Sequence, residues 1–173
     1  MAFIFGYGSL LFRPDFPHAP PRVATAYGWM RRLDQCSPDH RGTPECLGRV
    51  ATLVSQNEAT CTGAVFEIAR EHEAPVLAAL DHRERGGYVR QDLNVVLRDT
   101  GESVAATTWI ARMDNPFYLG PAPLDAMVSQ IARAVGPSGA NTEYVLRLAE
   151  ILRAWGIDDQ HIFEIAARLC ITV

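Results

Sequence analysis

The strongest constraint on the fold is a change of texture at Pro121. Before it, short apolar runs bounded by turn-forming residues predict strands over 3–7, 22–31, 49–55, 62–68, 89–97 and 104–111. After it, apolar residues recur at helical spacing: Leu124, Met127, Val128, Ile131 and Val135; then Tyr144, Leu148, Ile151, Leu152 and Trp155; then Ile162, Ile165, Ala166 and Leu169. A run of strands followed by a run of helices argues for an α+β fold rather than alternating βαβ units. The strand count suggests a closed or nearly closed β-structure. One helix interrupts the strands over about 71–85, with Pro75 tolerable in its first turn and Gly86-Gly87 as a glycine stop. Gly136-Pro137-Ser138-Gly139 reads as a connector between helices, too short to be a domain linker.

A length of 173 residues suits one domain over 1–173, with enough apolar residues for a full core. The net charge is −4, and the chain has no lysine, which excludes a Schiff-base or general-base lysine. The arginines are scattered, not gathered into a stripe, so nucleic acid is not an expected partner. No apolar segment approaches the roughly 20 residues that span a bilayer, and the start lacks a signal-peptide pattern, which points to a cytoplasmic protein with no membrane partner. Cys36, Cys46, Cys61 and Cys170 are irregularly spaced and read as reduced thiols. Cys36 and Cys46 bracket His40 but lack a Cys-x-x-Cys knuckle and an obvious fourth ligand, so no metal site is expected. Small buried thiols and a hydrogen-bonded histidine account for them.

Two segments carry the chemistry. Ala2, Phe3, Ile4 and Phe5 run into Gly6-Tyr7-Gly8-Ser9-Leu10, an apolar strand passing directly into a backbone loop. Glycines on both sides of a tyrosine permit close approach and positive φ, so consecutive N–H groups could converge on a carboxylate or an oxyanion. A strand ending in a tight turn accounts for the same residues. Ser9 has neither a Gly-x-Ser-x-Gly elbow nor a base in sequence, which favours orienting a substrate over acting as a nucleophile.

The second segment is Leu80-Asp81-His82-Arg83-Glu84-Arg85-Gly86-Gly87-Tyr88. Such a charged run commonly is a solvated helix end. Glu84 stands out because a carboxylate near a helix C-terminus faces the negative end of the dipole, which raises its pKa and suits it to shuttle protons. Asp81, with Arg83 and Arg85 close in sequence, reads as a plain salt bridge.

These segments, with Ser37-Pro38-Asp39-His40-Arg41-Gly42, Gly48-Arg49-Val50-Ala51-Thr52-Leu53, the stretch from Asp114 to Pro121 and the stretch from Gly136 to Tyr144, resemble the ChaC-like gamma-glutamylcyclotransferases. The blocks follow the family's order over nearly the whole chain, and the likeness is greatest to the short glutathione-specific type. Cys46-Leu47 departs from the Lys-Pro that the family tends to place before Gly48-Arg49. The resemblance implies a small mixed β-barrel flanked by helices, no cofactor, and cleavage of glutathione to 5-oxoproline and cysteinylglycine; a soluble monomer is the default expectation. It implies Glu84 as the proton shuttle and the loop of Ile4, Phe5, Gly6, Tyr7, Gly8, Ser9 and Leu10 as the γ-glutamyl site. Tyr88 and Tyr144 are expected to line the pocket, although Tyr144 equally fits a core tyrosine with one hydrogen bond. Arg41, Asn115 and Tyr118 lie in matching blocks, with substrate contact and loop bracing both open. A cyclotransferase for another γ-glutamyl amine or peptide, and a non-catalytic γ-glutamyl-binding protein, fit the same residues.

Overall fold

The opening apolar run forms strand β1 (Ala2–Gly6), in which Ile4 and Phe5 are fully buried. In the computed structural model, which describes residues 2–171 with their side chains and the backbone of Thr172, β1 pairs antiparallel with β3 (Gly48–Ile68). The other edge of β3 takes β2 (Arg22–Ser37), β2 takes β4 (Tyr88–Leu97), and β4 takes β5 (Ser103–Ala111), all antiparallel. Strand β5 returns to β1 in parallel through Ile4 and Thr107, which closes a five-stranded mixed barrel. Closure leaves the five barrel strands without an open edge to template aggregation.

Two strands are longer than their apolar runs predict. Residues 49–68 are one strand rather than two, because Trp29 pairs with Ser55 and Tyr27 with Thr60. The polar residues between Ser55 and Thr60 thus swell outward opposite Gly28, whose φ of +79° only glycine adopts freely. Exposure of that excursion removes the hydrophobic alternation that marks a strand. Likewise β2 continues past Arg31 to Ser37, with a register shift between Arg32 and Gln35. There the Asp34 carbonyl accepts Leu119 N–H at 2.8 Å and Gly120 N–H at 3.1 Å, and Cys36 N–H donates to the Phe117 carbonyl at 2.9 Å, stitching the 117–120 segment to β2.

Helix α1 (Arg70–Arg83) joins β3 to β4 and ends earlier than the glycine pair suggests. Pro75 is its sixth residue, beyond the first turn; the bond it forgoes would have reached the exposed Glu71 near the helix start. Helices α2 (Leu124–Arg133), α3 (Asn141–Ala154) and α4 (Gln160–Thr172) pack on one another, α2 and α3 against β3 and α4 against β2. Met127, Ile131, Leu148, Leu152, Ile162, Ile165 and Leu169 are buried between them, each contributing about 1.5–3 kcal/mol. Val135 leaves this stripe: α2 stops at Arg133, and Val135 is exposed in the two-residue strand β6 (Val135–Gly136). The expected connector is a tight hairpin of β6 with β7 (Gly139–Ala140). Asn141 then anchors the start of α3 on β3: its Oδ1 accepts Arg49 N–H at 2.6 Å and its Nδ2 donates to the Arg49 carbonyl at 2.8 Å. No helix among the described residues is long and apolar enough to cross a membrane.

Candidate active site

Where β1 ends, the chain turns through Tyr7 and Gly8 into a 3₁₀ turn at Ser9–Leu11. Neither Gly6 nor Gly8 has positive φ, contrary to the conformational argument from sequence; both glycines are needed for room. A Cβ on Gly6 would stand 2.9 Å from a Phe66 ring carbon and 3.0 Å from the Leu10 Cβ, and one on Gly8 would stand 3.1 Å from the Tyr144 hydroxyl. Among the described residues, the N–H groups of Gly8, Ser9 and Leu10 have no backbone acceptor. The buried Arg31 fixes their frame. Its Nε donates to the Tyr7 carbonyl at 2.6 Å, its Nη2 to the Thr62 carbonyl at 2.6 Å, and its Nη1 to Asp159. Because the peptide is planar and trans, gripping the Tyr7 carbonyl sets the direction of the Gly8 N–H.

Glu84 caps the C-terminus of α1, its N–H bonded to the Leu80 carbonyl at 2.9 Å. The turn that carries it closes at Gly87, with φ of +93°, where a Cβ would lie 2.4 Å from Asn115 Oδ1. Gln35 Nε2 donates to the Gly86 carbonyl at 2.7 Å and to Asn115 Oδ1 at 3.3 Å. Asn115 therefore braces the Glu84 turn from behind. Tyr118 sits 3.5 Å from Asp34 and braces β2.

Three phenols gather around Glu84. Tyr7 donates to the Trp109 carbonyl at 2.6 Å, Tyr88 donates to the Ala51 carbonyl at 2.6 Å, and Tyr144 accepts the Ala51 N–H at 3.1 Å. Burial holds Tyr7 and Tyr88 well above the ordinary phenol range and pushes Tyr144 up to about 12, with Glu84 raising each of them further. They stay neutral, so the three tyrosines give the site hydroxyls and aromatic faces without adding charge. The Glu84 carboxyl is itself raised above its ordinary range, chiefly because burial penalises its charged form, while Arg83 opposes the shift. The direction expected from sequence holds, but burial ranks first as its cause, not the helix dipole.

Phe5, Tyr7, Gly8, Ser9, Leu10, Glu84, Tyr88 and Tyr144 line one cavity of about 270 Å³. Ile4 points into the barrel core, and Gly6 lies behind the lining against Phe66. Arg83 belongs to the site and is not visible as such in the charged run. Its Nη2 donates to Ser9 Oγ at 2.8 Å, its Nη1 donates to the Arg13 carbonyl at 3.0 Å, and its Nε lies 3.4 Å from Glu84. One arginine thus joins the carboxylate to the loop. Asp81 does not pair with Arg83 or Arg85: Arg90 on the adjoining strand reaches it at 3.2 Å, and Trp109 Nε1 donates to it at 2.9 Å. Of the thiols near His40, Cys36 is buried on the cavity wall but Cys46 is only half-buried; His40 is exposed and shares a 3.2 Å hydrogen bond with Ser138 Oγ. Among the described residues no group of His, Cys, Asp and Glu side chains is arranged to hold a metal ion.

This closed mixed barrel, with a buried carboxylate in a tyrosine-walled cavity, has the fold of solved γ-glutamylcyclotransferases. The crystal structure of a yeast γ-glutamylcyclotransferase specific to glutathione superposes with a TM-score of 0.92 at 26% identity, covering 98% of this chain and 96% of that one. The family model for ChaC-like protein matches residues 2–170, and the chain belongs to that family. It is 41% identical to glutathione-specific gamma-glutamylcyclotransferase 1 of Danio rerio, over 98% of this chain and 89% of that protein. It is 38% identical to the Homo sapiens protein of the same name, over 92% and 74%.

Proposed function

We propose that this chain is a glutathione-specific γ-glutamylcyclotransferase, acting on glutathione as one cytoplasmic, monomeric domain, without cofactor. The observation that carries the reading is Glu84, a carboxyl raised by burial at a turn braced by Gln35 and Asn115, lining one cavity with the Gly8, Ser9 and Leu10 loop, whose amides have no backbone acceptor among the described residues. The names of the relatives in fish, human and yeast point to the same substrate. Four free cysteines suit a reducing compartment.

In the reaction the α-nitrogen of the γ-glutamyl group attacks its own γ-carbonyl carbon. The new C–N bond closes a five-membered ring, and collapse of the tetrahedral adduct breaks the bond to the cysteine nitrogen. Two protons leave the α-ammonium and two arrive on the departing amine. Glu84 relays them, and its raised pKa narrows the gap to an α-ammonium near 8. Gly8, Ser9 and Leu10 offer N–H groups to the α-carboxylate and the oxyanion; one such donor is worth about 3 kcal/mol in the transition state. The tyrosine wall holds the chain folded so that nitrogen and carbonyl carbon meet at about 3 Å.

Glutathione, γ-glutamyl-alanine and γ-glutamyl-lysine offered in parallel test the assignment. Release of 5-oxoproline from glutathione, well above the other two, is expected. Preference for a γ-glutamyl amine would refute the glutathione assignment, and binding without release would indicate a γ-glutamyl-binding protein.

A further inference from the structure

The γ-glutamyl end of the proposed substrate is accounted for, but the cysteinylglycine end carries a second carboxylate that nothing above receives. Three arginines line the cavity. Arg13 is 56% exposed and already paired with Asp15 at 2.8 Å, and Arg83 is committed to Ser9, the Arg13 carbonyl and Glu84. Arg41 differs. Its side chain is only 8% exposed, and a single nitrogen, Nη1, makes all its bonds, to Glu143 at 3.1 Å and to the Ala140 carbonyl at 3.2 Å. Among the described residues Nε and Nη2 donate to nothing, and together they form a planar edge that matches a carboxylate bidentately.

The anion that faces Arg41 does not neutralise it fully. Glu143 is 43% exposed and shares its charge with Arg147 at 3.1 Å. The guanidinium is also held in place beforehand. Arg41 N–H donates to Ser37 Oγ at 2.9 Å, the His40 carbonyl accepts Ser138 N–H at 2.9 Å, and Gly139, with φ of +104°, leaves the space that a Cβ would take 3.1 Å from Nη1. Arg41 lines the same cavity as Glu84 and the loop, next to Tyr144. The Arg41 Cζ lies 5.8 Å from the centre of the Tyr144 ring, whose hydroxyl sits beside Gly8 and Ala51. The two residues beyond the scissile bond span about 7 Å when extended.

We infer that Arg41 binds the glycine carboxylate of glutathione through its Nε/Nη2 edge and thereby sets the preference for the tripeptide over shorter γ-glutamyl compounds. The assignment rests on the cyclotransferase reading. It is tested by the ratio of kcat/KM for glutathione to that for γ-glutamylcysteine, which lacks the glycine. Arg41→Gln should lower this ratio about 10- to 100-fold, mainly through KM for glutathione, the loss expected for one charge-assisted contact. Arg41→Lys should recover part of it, and glutathione monoethyl ester, with that carboxylate masked, should be handled like γ-glutamylcysteine. A bracing role would slow both peptides in proportion, and an unchanged ratio overturns the assignment. Should Arg41→Gln fail to fold, Glu143→Gln at its half-exposed site removes the competing anion and should raise the ratio; a ratio equal to or below wild type overturns the assignment. No 5-oxoproline from either peptide with wild type would overturn the cyclotransferase reading and this assignment with it, whereas an unchanged ratio in an active variant overturns this assignment alone.

Discussion

Arg31→Met should be the most damaging single change outside the cavity lining. The guanidinium is 1% exposed and holds three acceptors from three elements: Tyr7 after β1, Thr62 on β3 and Asp159 before α4. Methionine fills much the same volume but strands the Asp159 carboxylate, itself only 13% exposed. Breaking one side of a buried pair costs about 3–5 kcal/mol, which for a chain of this size lowers Tm by about 6–20 °C. Asp159 also caps α4, its Oδ1 accepting Ile162 N–H at 3.1 Å, so the charge must be removed without losing the cap. Asp159→Asn does this, and Arg31→Met/Asp159→Asn should regain at least about 1 kcal/mol over Arg31→Met alone. Urea unfolding followed by tryptophan fluorescence gives each value. A loss below about 1 kcal/mol in Arg31→Met, or a double variant no more stable than the single, would refute the reasoning. Release of the Tyr7 carbonyl should also lower kcat in the folded fraction, because the Gly8 N–H loses its fixed direction.

Gly87→Ala should destabilise by about 1–3 kcal/mol and lower kcat, since φ of +93° and a Cβ 2.4 Å from Asn115 Oδ1 force the Glu84 turn to move; wild-type stability and rate together would contradict this. His161, whose Nε2 accepts Leu33 N–H at 3.2 Å, is held by burial at a pKa of about 4 against 6.5 in the open chain. The unfolded chain therefore binds a proton that the fold does not. This group's stability is complete above about 6.5 and is lost as pH falls towards 4, by up to about 3 kcal/mol. In His161→Gln the fall of Tm over that range should be shallower, and a slope equal to wild type would exclude the assignment.

The strand and helix composition of the fold is legible because alternation and helical spacing survive wherever one face is buried. They fail at Ser55–Thr60, where a strand bulges into solvent, and at Val135, which continues an apolar stripe after its helix has ended. Glu84 stands out in the sequence through its place at a helix end, yet what shifts it is chiefly burial in a site it shares with Tyr7 and Tyr144, which lie far from it in sequence. Arg31 and Gln35 leave no local trace. Each sits within a strand, and its partners lie 24 residues or more away. Asp81 shows the reverse error, since its sequence neighbours Arg83 and Arg85 suggest a pair that strand β4 supplies instead through Arg90.

The central claim is that Glu84 moves the protons of cyclisation. Its direct measurement is 5-oxoproline release from reduced glutathione by purified wild type and Glu84→Gln side by side, with glutathione binding and Tm recorded for both. Glutamine keeps the size and the turn but cannot exchange the proton, so release should fall at least about 100-fold while Tm holds and glutathione still binds. Wild-type turnover in Glu84→Gln would contradict the account.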